Sequence, residues 1–398
     1  MAWIAINIAI LILYQAWWIR VIVSEFRYYR TPVNKQIYNT HPSSVKPSFS
    51  IIIAYRDEQN RLQPLLNSLL ALQFQGDWEL IFVNDHSSDY GPKIIDQWIK
   101  THSLSQVKHL SNIQIGKKSA IQLGIQSAIY DWILTTDADC RLPENWIKSF
   151  ASIILNQPNI KMIIGRVRYE FAPSKHLLST YELLENQFLI ALNWEKTTKK
   201  HLGFANAANL CYSKATFLEL GGMQNHLKIA SGDDTFTAEK FHMHYPNCIS
   251  FNADPKAIVT TITQSHISDF LNQRLRWFKK TFLQKSQKSA VEQAFLAGIL
   301  LTIWGLTIYA VYAGYGIYAL LPLAFKAFTD WLFGTTLLLW NQYPTKHPYK
   351  TFFAIRYWFT IQYLRIPIAS SFQTIFLPIL GLVSPFLQFS WKKRKYNA

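Results

Sequence analysis

Apolar positions fall into two regimes along the chain, unbroken runs near its ends and short runs alternating with polar positions between them. Residues 2–19 carry no charge and are rich in Ile, Leu, Ala and Trp. That length is close to the ~20 residues that span a bilayer as a helix. A signal peptide is the rival reading, but the basic n-region and the A-x-A-like cleavage pattern are missing. Gln293–Phe325 is again uncharged, and only Lys326 and Asp330 interrupt the apolar pattern before Tyr343. This is too long for one span and predicts a helical hairpin. Lys326 and Asp330 are four apart, so on a helix they share a face and neutralise each other, a structural pair rather than a transport site. Ile366–Trp391 is a third uncharged stretch, broken by Pro367, Pro378, Gly381 and Pro385. Either it spans, or it is re-entrant or interfacial; the two readings put the tail Lys392–Lys395 on opposite sides.

Between these segments the period changes. Phe49–Tyr55, Trp78–Asn84 and Trp132–Thr136 are short, β-branched-rich runs that predict strands. Arg61–Leu72, Lys93–Lys100 and Lys118–Ile129 are amphipathic and predict the intervening helices. Alternating strands and helices imply an α/β layer with a mainly parallel sheet. Each strand ends in a polar cluster: Arg56-Asp57-Glu58, Asp85–Asp89, then Asp137-Ala138-Asp139. In open α/β sheets ligands bind beyond the carboxyl ends of strands, so these clusters converge on one crevice. The organisation predicted is therefore an N-terminal transmembrane helix (1–23), a soluble domain (45–290), a C-terminal membrane region (291–391) and a basic tail (392–398).

Composition sharpens this. Charged residues are 16% of the 398, against ~25% in soluble proteins, and apolar residues are 49%. Disorder is excluded by the apolar content, and a disulfide scaffold by length and by only three cysteines. Cys140, Cys211 and Cys248 have no metal-ligand spacing and read as apolar fillers. The net charge of +16 gathers at membrane flanks: Arg20, Arg27, Arg30 and Lys35 on one side of the middle domain, Arg274, Arg276, Lys279, Lys280, Lys285 and Lys288 on the other. The positive-inside rule puts that domain in the cytoplasm, and the same distribution argues against nucleic-acid binding.

Four elements carry candidate chemistry. Asp137 and Asp139, two residues apart after a strand, can share a hard divalent cation bound to a diphosphate; the plain alternative is a polar strand end. Gly116-Lys117 opens a helix, where phosphate is favoured. Asp233-Asp234 suits a general base whose neighbour tunes it, or merely an N-cap and a first-turn acid. Gln273, Arg276 and Trp277 share a helical face on which a cation and a flat ring would meet diphosphate and sugar, or would form a basic aromatic belt before a membrane span. His242 and His244 alternate with apolar residues, so on a strand they would share a face; two satisfied histidines fit that pattern better than a second metal site.

In this order the elements resemble the membrane-bound branch of glycosyltransferase family 2, which includes cellulose synthases, hyaluronan synthases and ceramide glucosyltransferases. The resemblance covers about residues 49–280. It implies an α/β GT-A (Rossmann-like) domain with transmembrane helices on both sides. By resemblance Asp85 binds the donor base or ribose, with Tyr55 and Glu58 as further nucleotide contacts. Lys117, Asp137 and Arg276 lie at the diphosphate, and Asp139 with Asp137 holds Mg²⁺ or Mn²⁺. Asp234 falls on the catalytic base beside Asp233, Gln273 and Trp277 bind the acceptor, and Asn206–Met223 is similar to the acceptor-side stretch.

The expected activity is inverting transfer from a nucleotide-diphosphate sugar, UDP-linked, to a membrane-associated lipid or polysaccharide by a multi-pass membrane enzyme, in the inner membrane if the source is bacterial. The chain departs from the pattern at His86, where Gly is usual, and at Asp233, where Glu is usual. With no counterpart of the cellulose-synthase gating motif after Trp277, and a small membrane part, a processive polysaccharide synthase becomes the alternative. A membrane-anchored nucleotidyltransferase would need a Gly-rich basic loop after the first strand, which AYRDEQN lacks. A non-catalytic binder of anionic lipid would account for the basic clusters but not for the acidic ones.

Overall fold

The computed structural model describes residues 2–30, 46–170, 177–198, 202–224, 232–283, 287–342, 365–391 and 394–396. Lys35, Lys285 and Lys392 fall outside them.

The three predicted strands form as β1 (Phe49–Tyr55), β2 (Trp78–Asn84) and β4 (Trp132–Thr135). They are joined through α2 (Leu62–Leu70), α3 (Gly91–Thr101) and α4 (Lys117–Ser127), preceded by the long apolar α1 (Ala2–Arg30). β1 is a near-continuous apolar run because both its faces are covered. Ile51 and Ile53 enter the core built by Leu62, Leu65 and Trp98, while Ile52 enters the opposite core with Ile121 and Ile125. Each fully buried side chain of this kind stabilises the fold by roughly 1.5–3 kcal/mol. Gly124 lets α4 sit directly on the sheet, since a Cβ there would lie 2.6 Å from Ile52 Cγ2.

The sheet has seven strands in the order β3-β2-β1-β4-β7-β5-β8. β1 runs parallel to both β2 and β4, with Phe49 opposite Trp78 and Trp132. β3 (Val107–Ser111) is a half-buried edge strand that the periodicity did not predict. After α5 (Trp146–Asn156) come β5 (Met162–Ile164), β6 (Val167–Glu170), α6 (Leu177–Thr198) and β7 (Leu210–Ser213). β7 lies antiparallel between β4 and β5, so the sheet is mixed but parallel-dominated.

The chain continues through α7 (Lys214–Glu219), α8 (Asp233–His244), β8 (Ile249–Phe251) and β9 (Val259–Ile262), which pairs with β6 in a side ribbon. His242 and His244 lie not on a strand but in the last turn of α8. Two residues apart on a helix, they do not share a face, and His244 Nδ1 bonds to the Lys240 carbonyl at 2.9 Å.

α9 (Ile267–Leu283) leads to the apolar helices α10 (Gln287–Tyr312) and α11 (Leu321–Gln342), the predicted hairpin. Gly314 and Gly316 make the bend between them at φ +77° and +57°. α12 (Ile366–Val383) packs on α10, α11 and α6. Two segments, 5–27 and 294–312, are long and apolar enough to cross a membrane by length and composition. Lys326 and Asp330 meet as the i,i+4 spacing predicts, fully buried. Trp18 Nε1 donates to Asp330 at 2.8 Å, Tyr14 and Ser370 hydroxyls also reach it, and Lys326 donates to the Ser370 carbonyl at 3.2 Å. The pair thus ties α1, α11 and α12 together.

After α12 the third apolar stretch turns back into a hairpin of β10 (Phe389–Trp391) and β11 (Arg394–Tyr396), packed against α9.

Candidate active site

A cavity of about 990 Å³ opens beyond the carboxyl ends of β1, β2 and β4, and every residue predicted for the site lines it. They come from three directions.

The loops after β1 and β2 form the first wall. Tyr55 lies at the end of β1 with its hydroxyl 2.7 Å from His109 Nε2. Burial, then Asp96 and Asp89, raise its phenol above the ordinary value. Glu58 pairs with Arg61 at 2.6 Å, and Arg61 reaches across to Asp139 Oδ2 at 3.1 Å. Asp85 is only 1% exposed. Its Oδ1 accepts from the Gly116 amide at 2.8 Å and from Asn112 Nδ2 at 3.1 Å. Burial raises the Asp85 carboxyl, against those donors. Gly116 has φ +127°, a conformation open chiefly to glycine, which is how its N–H turns toward Asp85. His86 also adopts a left-handed φ of +58°, the geometry that favours Gly at this position.

The second wall is Asp137, Asp139 and Lys117. Lys117, the first residue of α4, donates to Asp137 Oδ1 at 2.7 Å and lies 3.7 Å from Asp233 Oδ2. Burial alone would lower its ammonium, but Asp137 and then Asp233 raise it above the ordinary lysine value, so it stays charged. Cys140 is buried behind this wall, and burial, then Asp139 and Asp137, hold its thiol protonated.

The third wall joins α8 and α9. Gly232, at φ +89°, caps α8, so Asp233 and Asp234 both sit in its first turn where the helix dipole favours anions. Asp234 Oδ1 accepts from the Thr235 amide at 2.6 Å, and its Oδ2 from the Ala207 amide at 3.4 Å. Asp233 Oδ2 is buried and accepts no hydrogen bond among the described residues.

Gln273, Arg276 and Trp277 face the cavity from α9. Burial lowers Arg276, opposed by Asp137, Asp233 and Asp234. Behind them the fully buried Arg274 bonds to Gln273 and Glu185, and its guanidinium lies 4.3 Å from the Trp277 ring and 4.5 Å from Phe270. Glu182, 3.5 Å from Arg274, has its carboxyl pushed up to about 7 by burial, with Arg274 opposing.

No group of three or more His, Cys, Asp or Glu suited to a metal occurs among the described residues. Asp137 and Asp139 nevertheless fit a hard divalent cation, which takes carboxylate oxygens and completes its shell with water and phosphate. Each is partly exposed to the cavity, and each has one oxygen matched by a cation, Lys117 or Arg61.

Sequence reasoning missed Arg61, Asn112 and Arg394. Arg61 stands just after the β1 acidic cluster, a local signal. Arg394 lies 309 positions from Asp85, the residue it contacts, and carries none.

Residues 50–216 match the family model described as Glycosyl transferase family 2. Residues 50–216 are thus a glycosyltransferase family 2 domain. That match ends before α8, so Asp233, Asp234 and the α9 residues lie beyond it. The poly-beta-1,6-N-acetyl-D-glucosamine synthase of Staphylococcus epidermidis is 22% identical over 267 residues, 66% of this chain and 61% of that protein. An undecaprenyl-phosphate 4-deoxy-4-formamido-L-arabinose transferase of Pectobacterium carotovorum is 32% identical over 96 residues, 24% of this chain and 29% of that protein. The chain thus spans less than two thirds of the length of these curated relatives. A mannosyltransferase from Pyrobaculum calidifontis, solved with GDP-Man and Mn²⁺, superposes with a TM-score of 0.58 at 17% identity, covering 86% of this chain and 98% of that one. The fold is accordingly the GT-A α/β fold expected from the sequence.

Proposed function

We propose that this protein transfers a sugar from a nucleotide-diphosphate donor, UDP-linked, to a hydroxyl of a membrane lipid, with inversion. The observation that carries the reading is the convergence of acidic, basic and aromatic groups from β1, β2, β4, α4, α8 and α9 on one cavity. In this reading Asp85, Tyr55 and Glu58 meet the nucleoside, and Lys117, Asp137 and Arg276 lie along the diphosphate. Asp234 takes the acceptor proton as that oxygen attacks the anomeric carbon, and Asp233, against Lys117, tunes it. Lys117 and Arg276 stabilise the charge that develops on the leaving diphosphate, where fixed cations in a shielded site act strongly. Asp139 and Asp137 would hold Mg²⁺ or Mn²⁺, which when bound supplies further charge neutralisation to that leaving group.

The acceptor class is suggested by a second, apolar groove of about 320 Å³, lined by Leu177, Leu178, Tyr181, Ile267 and Phe372 among others. Ser265 lines both this groove and the main cavity. A hydrocarbon chain suits it, whereas a glycan would find few hydrogen-bonding groups. The polysaccharide-synthase reading is favoured by the similarity to the Staphylococcus epidermidis synthase. The enzyme would be multi-pass with its catalytic domain in the cytoplasm, and no nucleic acid would take part. A nucleotide-release assay against a panel of donor sugars, with lipid extract as acceptor and mass spectrometry of the product, tests the proposal. A monoglycosylated lipid is expected; a ladder of polymer would favour the synthase reading, and release of pyrophosphate would favour a nucleotidyltransferase.

A further inference from the structure

An arginine is a costly residue to bury, and Arg274 is only 1% exposed. It stands between Gln273 and Arg276 in the sequence, yet it is not among the residues that line the cavity. Its carboxylate partners come from α6. Glu185 is bonded to Nη2, and Glu182 lies 3.5 Å away.

On its own helix the guanidinium has two further kinds of contact. Phe270, Arg274 and Trp277 follow the i, i+4, i+7 spacing of one helical face. The guanidinium lies 4.5 Å from the Phe270 ring and 4.3 Å from the Trp277 ring, within cation–π range of both. Its Nη1 also donates to the side chain of Gln273. A guanidinium carries donors only, so the Gln273 atom it meets must be the carbonyl oxygen. The amide is thereby turned with its oxygen toward Arg274 and its –NH2 away from it.

Joining α6 to α9 requires the bonds to Glu185 and Glu182. It requires neither the bond to Gln273 nor the contact with Trp277, the two residues of α9 read as acceptor contacts. We propose that Arg274 is a positioning residue for the acceptor: it turns the Gln273 amide so that –NH2 serves the acceptor as a donor, and it holds the Trp277 ring at the angle on which the acceptor rests. The inference rests on that reading of Gln273 and Trp277. It selects an acceptor with an oxygen lone pair close to the hydroxyl that reacts. The support extends to the apolar groove, since Tyr181, which lines it, donates to Glu185 Oε1 at 3.1 Å.

The test uses the full-length protein in detergent, with UDP-glucose, UDP-galactose, UDP-N-acetylglucosamine and GDP-mannose as donors and lipid extract in mixed micelles, titrated by mass, as acceptor. Half-saturating lipid and kcat are measured beside thermal midpoints and calorimetric affinity for the nucleoside diphosphate of the active donor. Arg274→Lys keeps a charge beside Glu185 but loses the planar fork. Half-saturating lipid should rise roughly tenfold, the scale of losing one hydrogen bond to a charged group, with nucleotide affinity unchanged. A residue that acts through others has less to lose once they are gone. The rise should therefore shrink when Arg274→Lys is placed on Gln273→Ala, on Trp277→Ala or on both. Wild-type lipid saturation in a folded Arg274→Lys, or an undiminished rise in both backgrounds, assigns Arg274 to the fold alone and leaves the acceptor reading standing. Gln273→Glu tests the direction of the amide however well Arg274→Lys folds. It keeps an oxygen toward Arg274 and removes –NH2, so half-saturating lipid should rise as in Gln273→Ala; wild-type saturation overturns the proposal. If neither Gln273→Ala nor Trp277→Ala alters lipid saturation, or if the wild type transfers no sugar from the four donors to the extract, the acceptor reading fails and the positioning role with it.

Discussion

Three carboxylates carry the proposed chemistry at the residue scale. Asp234→Asn keeps size and hydrogen bonding but removes the proposed proton acceptor. Turnover should fall by roughly 10²–10⁴-fold with donor affinity almost unmoved, the range for losing general acid–base catalysis. Asp233→Asn should cost less, because its carboxylate acts through Lys117 and its neighbour rather than on the substrate. Steady-state kinetics on both variants check this; an inactive Asp233→Asn beside an active Asp234→Asn would shift the base by one residue. Asp139→Asn should abolish transfer and make donor binding insensitive to Mn²⁺, read by calorimetry with and without the ion. Full turnover in that variant would remove the metal role from Asp139.

Lys117 and the acidic candidates were legible because each follows a strand or opens a helix, where local sequence fixes position, and Gln273, Arg276 and Trp277 because their spacing gathers them on one helix. Arg61 and Asn112 were not, because their roles are contacts between loops. The His242–His244 spacing left the element type open for a related reason. Alternation over three residues cannot distinguish a strand from the end of a helix.

At the scale of elements, two buried charge clusters make opposite demands. Lys326 and Asp330 are satisfied by each other and by Tyr14, Trp18 and Ser370. Lys326→Met leaves Asp330 buried without its cation and should destabilise the protein by about 3–5 kcal/mol, while replacing both by apolar residues of similar size should be far milder. Thermal midpoints of the single and double variants in one detergent measure the difference; equal losses would count against a paired role.

Glu182 behaves differently. In the native state its carboxyl holds a proton up to about 7, against an ordinary value of 4.5. The native state therefore binds more protons than the unfolded chain across that interval. Its contribution to stability is complete below the ordinary value and is lost as pH rises through about 7. Unfolding midpoints of the wild type should fall over this window, and Glu182→Gln should flatten the slope. An unaltered slope would assign the pH dependence to another group. The helix pairing behind Lys326–Asp330 could be read from spacing alone. The Glu182–Arg274–Glu185 cluster could not, because α6 and α9 are brought together only by the fold.

At the scale of the whole molecule, the parallel strands and the apolar helices were visible in the sequence as runs of different length and period. The antiparallel insertion of β7 between β4 and β5 was not, since it is set by pairing across the sheet. Nor was the side of the membrane on which residues 392–398 emerge, because the prolines of Ile366–Trp391 allow either a span or a re-entrant segment. The structure supplies a constraint that composition lacks. Arg394 reaches Asp85, and the hairpin that carries it packs on α9. The hairpin and the catalytic domain must therefore share one side of any membrane the apolar helices cross. On that constraint the chain between Leu283 and Phe389 would cross an even number of times, and α1 would supply the crossing that precedes the domain. Basic residues flank the domain on both sides, so that shared side should be the cytoplasm. Single cysteines introduced as Ser103→Cys in the domain and Asn397→Cys beyond the hairpin should both resist a membrane-impermeant maleimide in intact cells, and both should react after the membrane is permeabilised. Labelling of residue 397 alone from outside would break the Arg394–Asp85 contact as a feature of the inserted protein. Labelling of both from outside would keep the contact and reverse the orientation.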